Sequence, residues 1–180
     1  MMWLQKIMGR RRCEDGQSLL ETAVAMPLLL GIAFNLINLG YLWFMVLTLA
    51  AAPRQGVQYA TQGGQAITRA AAPNTTAVST LVYDNMTNAV HGATNSNTSV
   101  RVCSNTKGVD PNTHLALCDS FGPAFTFSAL AADPEAPGFV LNRVDVGYTV
   151  TPLIPGSAFN VVLPPSPLLF RRQVSMRSLY

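Results

Sequence analysis

Between Thr22 and Ala52 the chain carries no charged side chain. From Pro27 to Ala50 the run is dominated by Leu, Ile, Phe, Met, Ala and Gly. A hydrocarbon layer about 30 Å thick is crossed by roughly 20 apolar residues in a helix. The run therefore predicts a single transmembrane helix, placed at 17–52, long enough to tilt or to project beyond the bilayer. A cleaved secretory signal has an apolar core of only about 7–15 residues, and a lipoprotein carries its cysteine after the apolar run, whereas Cys13 precedes it.

The flanks set the expected orientation. Lys6, Arg10, Arg11 and Arg12 precede the span and only Arg54 closely follows it, so the positive-inside rule places the N-terminus in the cytoplasm and residues 76–180 outside. Arg10-Arg11-Arg12 leaves a twin-arginine export signal as an alternative. Only 12% of the residues are charged, against about 25% in soluble domains, as expected of a chain that partly avoids water. The formal charge of +3 is concentrated before the span. No basic stripe lies elsewhere, which removes the electrostatic footprint of nucleic-acid binding.

Polar residues inside an apolar helix are informative. Asn35 and Asn38 lie three apart, on one helical face, where they can bond to a neighbouring helix. Glu21 stands at the edge of the span, where a carboxylate persists best when paired. Cleavage after Gly16 would create an α-amino group on Gln17, one helical turn from Glu21 and able to neutralise it on the same or a neighbouring subunit.

A basic leader, Gly16, and Glu21 at the fifth position after it together resemble the processing site of type IV prepilins, where a membrane peptidase cuts after the glycine. Glu21-Thr22-Ala23-Val24-Ala25-Met26-Pro27, followed by leucines, resembles more narrowly the start of TadE-like proteins of tight-adherence pilus systems. Pro53-Arg54-Gln55-Gly56-Val57-Gln58-Tyr59-Ala60 and a last strand ending near Met176-Arg177 resemble further parts of that family. Thr22 stands where an aromatic residue usually follows the glutamate, and Gln55 replaces an acidic one. The resemblance implies a bacterial inner-membrane, single-pass protein that meets a prepilin peptidase at Gly16–Gln17. It further implies a structural role in adhesion or secretion, with Glu21, Asn35 and Asn38 packing against other pilins and assembly proteins. The alternative is an uncleaved, signal-anchored periplasmic protein that binds a ligand or partner.

Beyond the span, 53–75 reads as a helix extension and linker with a flexible point at Gly63-Gly64. Pro73-Asn74-Thr75-Thr76 is a stop followed by a helix cap. Val78, Leu81, Val82, Met86, Ala89 and Val90 recur at helical spacing, predicting an amphipathic helix over 76–90. Ser99–Cys103 alternates as a strand, and Val140–Val150 does so more strongly, with Val140, Asn142, Val144, Val146, Tyr148 and Val150 on a mostly apolar face and Arg143, Asp145 and Thr149 on the other. A short helix is expected near 157–161 and a last strand over 168–179. The expected fold is α+β: one transmembrane helix, then a small extracytoplasmic domain with one helix on a short antiparallel sheet.

Cys103 and Cys118 close a polar loop and would pair in an oxidising compartment, adding about 3 kcal/mol in the chain-entropy model. A metal set of Cys103, His114 and Cys118 lacks a fourth ligand and close cysteine spacing. His91 and His114 are the only histidines, each in a polar loop, and no serine has a nucleophile-elbow context. The sequence therefore predicts no enzyme, metal or cofactor. The triplets starting at Asn74, Asn85 and Asn97 would be glycosylation acceptors only in a eukaryotic secretory setting.

Overall fold

A computed structural model describes residues 2–62, 72–131, 133–134, 138–156 and 168–179, with side chains described from Gly16 onward except at Gln62 and Leu179. The flexible point expected at Gly63-Gly64, the short helix expected near 157–161 and the side chain of Cys13 lie outside these residues.

The segments expected to be leader, span and extension form one helix, α1 (Met2–Gln62). Pro27 and Pro53 each lack the N–H that an interior helical residue donates, yet α1 passes through both without a break. Across Gly16–Thr61 it is long and apolar enough to cross a membrane.

The chain divides into two compact units, Met1–Leu42 with Pro152–Pro165, and Trp43–Thr151 with Ser166–Tyr180. The division falls inside the span expected at 17–52. From Trp43 onward, α1 is part of the sheet-bearing unit, where Met45, Leu49, Ala52, Val57 and Ala60 are buried. In the first unit the helix bares its apolar surface: Leu19, Leu20, Val24 and Leu28 are each about two-thirds or more exposed.

In the sheet-bearing unit, α2 (Thr75–Ala89) starts where the Asn74 side chain accepts a hydrogen bond from the Ala77 N–H at 2.8 Å, satisfying one of the donors a helix start leaves unpaired. Its buried stripe is Thr75, Val78, Ser79, Val82 and Met86. Leu81 is only half-buried and Ala89 is exposed, so the stripe is narrower than the spacing implied.

The strands are β1 (Thr98–Cys103), β2 (Cys118–Phe121), β3 (Phe139–Val150) and β4 (Leu168–Leu179). They form one antiparallel sheet in the order β2-β1-β3-β4. The strands predicted from alternation at 99–103, 140–150 and 168–179 are present, and β2 is an addition. The apolar face of β3 packs against the helices. Gly56 of α1 comes so close that a Cβ there would lie 2.6 Å from Val82 Cγ2 and 3.4 Å from Val144 Cγ1.

The second face of the sheet, read from the sequence as the polar one, is covered. Residues 122–131 run over it as an irregular strap. Gly122 starts the strap at φ 83°, a left-handed conformation, with the Thr98 carbonyl 2.3 Å from where a Cβ would be. Only glycine accommodates both conditions. Phe125 lies over Gly147 of β3, whose Cβ, if it had one, would meet the ring at 2.7 Å. A glycine in a central strand thus marks where another part of the chain comes close.

Candidate functional site

Gly16, Gln17 and Glu21 are exposed on α1. A side chain at Gly16 would meet nothing within 4 Å. Gln17, Leu20, Glu21, Val24, Ala25 and Leu28 share a shallow groove along one helix face. Glu21 thus sits at the head of a bare apolar surface, one turn from Gln17. The two asparagines of the helix have partners inside the chain. Asn35 Nδ2 donates to the Gly31 carbonyl at 2.7 Å. Asn38 donates from Nδ2 to the Ile154 carbonyl and accepts at Oδ1 from the Ile154 N–H, both at 3.0 Å. The interhelical bond expected of Asn38 therefore has an intramolecular competitor.

Cys103 and Cys118 are joined by a disulfide between directly paired positions of β1 and β2. With both sulfurs in that bond, the alternative metal set of Cys103, His114 and Cys118 has no thiolate to offer. Among the described residues, no group of three or more His, Cys, Asp and Glu side chains is placed to hold a metal ion. In the disulfide-closed loop, the Asn112 N–H donates to Asp110 Oδ1 at 2.9 Å. This bond, with one from the Thr113 hydroxyl, holds the Asp110 carboxyl below the usual carboxylate range. Lys107 is ion-paired with Asp119, whose second oxygen accepts from the Thr75 hydroxyl at 2.6 Å, fastening the loop to the start of α2.

Under the strap lies a charge cluster that strand alternation did not reveal. Asp145, 1% exposed, accepts from Arg101 on one oxygen and from Arg143 Nε on the other at 2.8 Å. The strap and β4 supply the remaining acceptors: Arg101 donates to the Ser128 carbonyl at 2.6 Å, and Arg143 to the Ala129 carbonyl at 3.2 Å and to Gln173 Oε1. Arg101 also lies 4.9 Å from the centre of the Phe127 ring, within range for cation–π attraction. Beyond the strap, Arg177 of β4 grips Asp133 through two nitrogens. The sequence signal for this layer was the alternation of Phe125 and Phe127 after Gly122-Pro123, a pattern too short to place on either face.

An open groove of about 890 Å³ runs beside the strap, lined among others by Ser99, Phe125, Thr149, Leu169, Arg171 and Arg172. Arg171 reaches across to the Thr126 carbonyl at 3.0 Å. Among the described residues, the groove gathers two cations and aromatic surface but no nucleophile with an adjacent base.

Together these features define an α+β protein with one long N-terminal apolar helix and a small, disulfide-closed antiparallel sheet of four strands. No protein-family model, curated protein or solved structure matches the chain.

Proposed function

We propose that this chain is a structural subunit, a TadE-like minor pilin or pseudopilin, of a bacterial tight-adherence pilus or a related secretion apparatus. The observation that carries the reading is the order Gly16, Glu21, Pro27 at the head of a helix whose apolar side chains are bare. An exposed carboxylate on such a surface is costly in lipid and is relieved by a partner. The amine created on Gln17 by cleavage after Gly16 is that partner, on the same or an adjacent subunit. The protein sits in the inner membrane with its N-terminus in the cytoplasm and its sheet outside, where the Cys103–Cys118 disulfide suits an oxidising compartment. Its work is assembly through helix packing, with the outer domain contacting other pilus components.

Intact mass of the membrane-extracted protein from its native host tests this. A chain beginning at Gln17 supports the reading. A chain retaining residues 1–16 beside an active prepilin peptidase overturns it. The second reading, an uncleaved anchored protein that binds a ligand or partner, draws on the groove beside the strap and predicts the retained leader.

A further inference from the structure

Asn38 is fully buried although it lies on an apolar helix. Both ends of its amide serve one residue far along the chain, the carbonyl and N–H of Ile154. Gly31, Phe34, Asn35, Tyr41 and Leu42 are half-buried on the same face of α1, one or two turns to either side. Leu36, Ile37 and Leu39, by contrast, are exposed beside Asn38.

The segment that meets Asn38 reads Pro152-Leu153-Ile154-Pro155-Gly156, and no charged residue stands between Asp145 and Arg171. Leu153 is 46% exposed. Lipid cannot satisfy a backbone amide or carbonyl, so irregular backbone enters a bilayer only when its polar groups are paired. This loop meets that condition for its N–H groups more than for its carbonyls, which suits the hydrated interface rather than the hydrocarbon itself. Its two prolines have no N–H to satisfy, and Asn38 takes both polar groups of Ile154. From Pro152 to Pro155 only Leu153 brings a further N–H.

Depth along the helix agrees. A helix rises 1.5 Å per residue, which puts Asn38 about 32 Å from Gln17, close to the thickness of a hydrocarbon layer. Tyr41 and Trp43, rings that favour the headgroup level, follow within two turns.

The geometry points to a second membrane-contacting element: the loop 152–156 enters the bilayer interface on the domain side beside α1, with Leu153 among the acyl chains and Asn38 as its tether. The inference rests on α1 spanning the membrane. The loop then fixes the rotation and depth at which the helix leaves the bilayer.

The test uses the full chain in phosphatidylcholine–phosphatidylglycerol vesicles, in a Cys13→Ser background. An environment-sensitive fluorophore is placed at Leu153→Cys, Ile32→Cys or Asn95→Cys, one at a time. Lipids carrying a shallow or a deep acyl-chain quencher, and iodide in the water, then report depth. Position 32 is expected to be quenched from the deep lipid and position 95 by iodide. Position 153 is expected to be quenched most by the shallow lipid and several-fold less by iodide than position 95. Iodide access at 153 equal to that at 95, with 32 still deep, overturns the proposal and leaves the anchor standing. Quenching at 153 by neither lipid nor iodide also overturns it, because the loop is then covered by protein. Iodide access at position 32 instead sinks the membrane-spanning reading itself. Adding Asn38→Leu should raise iodide access at 153 several-fold; no change would remove Asn38 as the tether.

Discussion

Asp145 lies between two guanidinium groups, and removing it strands both of them. Arg101 and Arg143 are 15% and 8% exposed, with strap carbonyls and, for Arg143, the Gln173 side chain as their remaining acceptors. Breaking a buried ion pair by deleting one partner costs about 3–5 kcal/mol, whereas replacing the whole set with apolar residues is often neutral. Asp145→Ala should therefore destabilise the sheet-bearing unit by about 3–5 kcal/mol, read as a lower urea midpoint in pulse proteolysis. Replacing Arg101, Asp145 and Arg143 together by Met, Leu and Met should recover much of the loss. Tyr148, fully buried on the opposite face, carries a pH signature. Burial pushes its phenol up, an effect that Thr151 partly offsets. The folded state then holds the proton to higher pH than the unfolded state, so this contribution to stability is complete below about pH 10 and is lost as the pH rises through the folded value. Tyr148→Phe should flatten the alkaline fall in stability; an unchanged profile would assign that fall to other groups.

At the scale of elements, α1 is the least local feature of the fold. From Leu19 to Leu39 it exposes mostly leucines, and its second half supplies Met45, Leu49, Val57 and Ala60 to the core under the sheet. The tightest point is Gly56, where Val82 and Val144 leave no room for a side chain. Overpacking a core of this kind costs about 1–3 kcal/mol. Gly56→Leu should reach at least the upper end of that range, because the clash is with buried β-branched side chains that have one favoured rotamer. Protease sensitivity at the α1–α2 contact is the readout, and Gln58→Leu, on the exposed side of the same turn, is the control with little expected effect. The strap answers a different need. A sheet of four strands with one bare face would leave Arg143 and Asp145 solvated, and the strap converts that face into a second buried layer without adding a helix.

At the scale of the whole molecule, the pilus reading depends on Glu21 serving subunit assembly, whether its amine partner lies on the same or an adjacent subunit. Glu21→Ala should leave membrane insertion and the disulfide intact while abolishing co-isolation with other pilins and surface piliation in the native host. Normal piliation with Glu21→Ala would return the function to the anchored-binder reading.

What the sequence determined by itself is what short range can encode. A long uncharged run dictates a helix, since only internal hydrogen bonding lets the backbone leave water. Asn74 set the start of α2, the alternation of Val residues set β3, and two cysteines beyond the apolar run, with Cys13 set apart before it, pointed to the Cys103–Cys118 pair of an oxidising compartment. Periodicity compares a residue with neighbours two to four positions away, and those elements are defined at that range. Tertiary structure alone decided the rest. Asp145 meets Arg101 across 44 positions and Asn38 meets Ile154 across 116. The strap covers a face whose polar alternation, taken locally, matches an exposed surface. Burial of a charge depends on whether the chain returns with a countercharge and free carbonyls, and that is settled by topology rather than by the neighbours of Asp145 in the sequence.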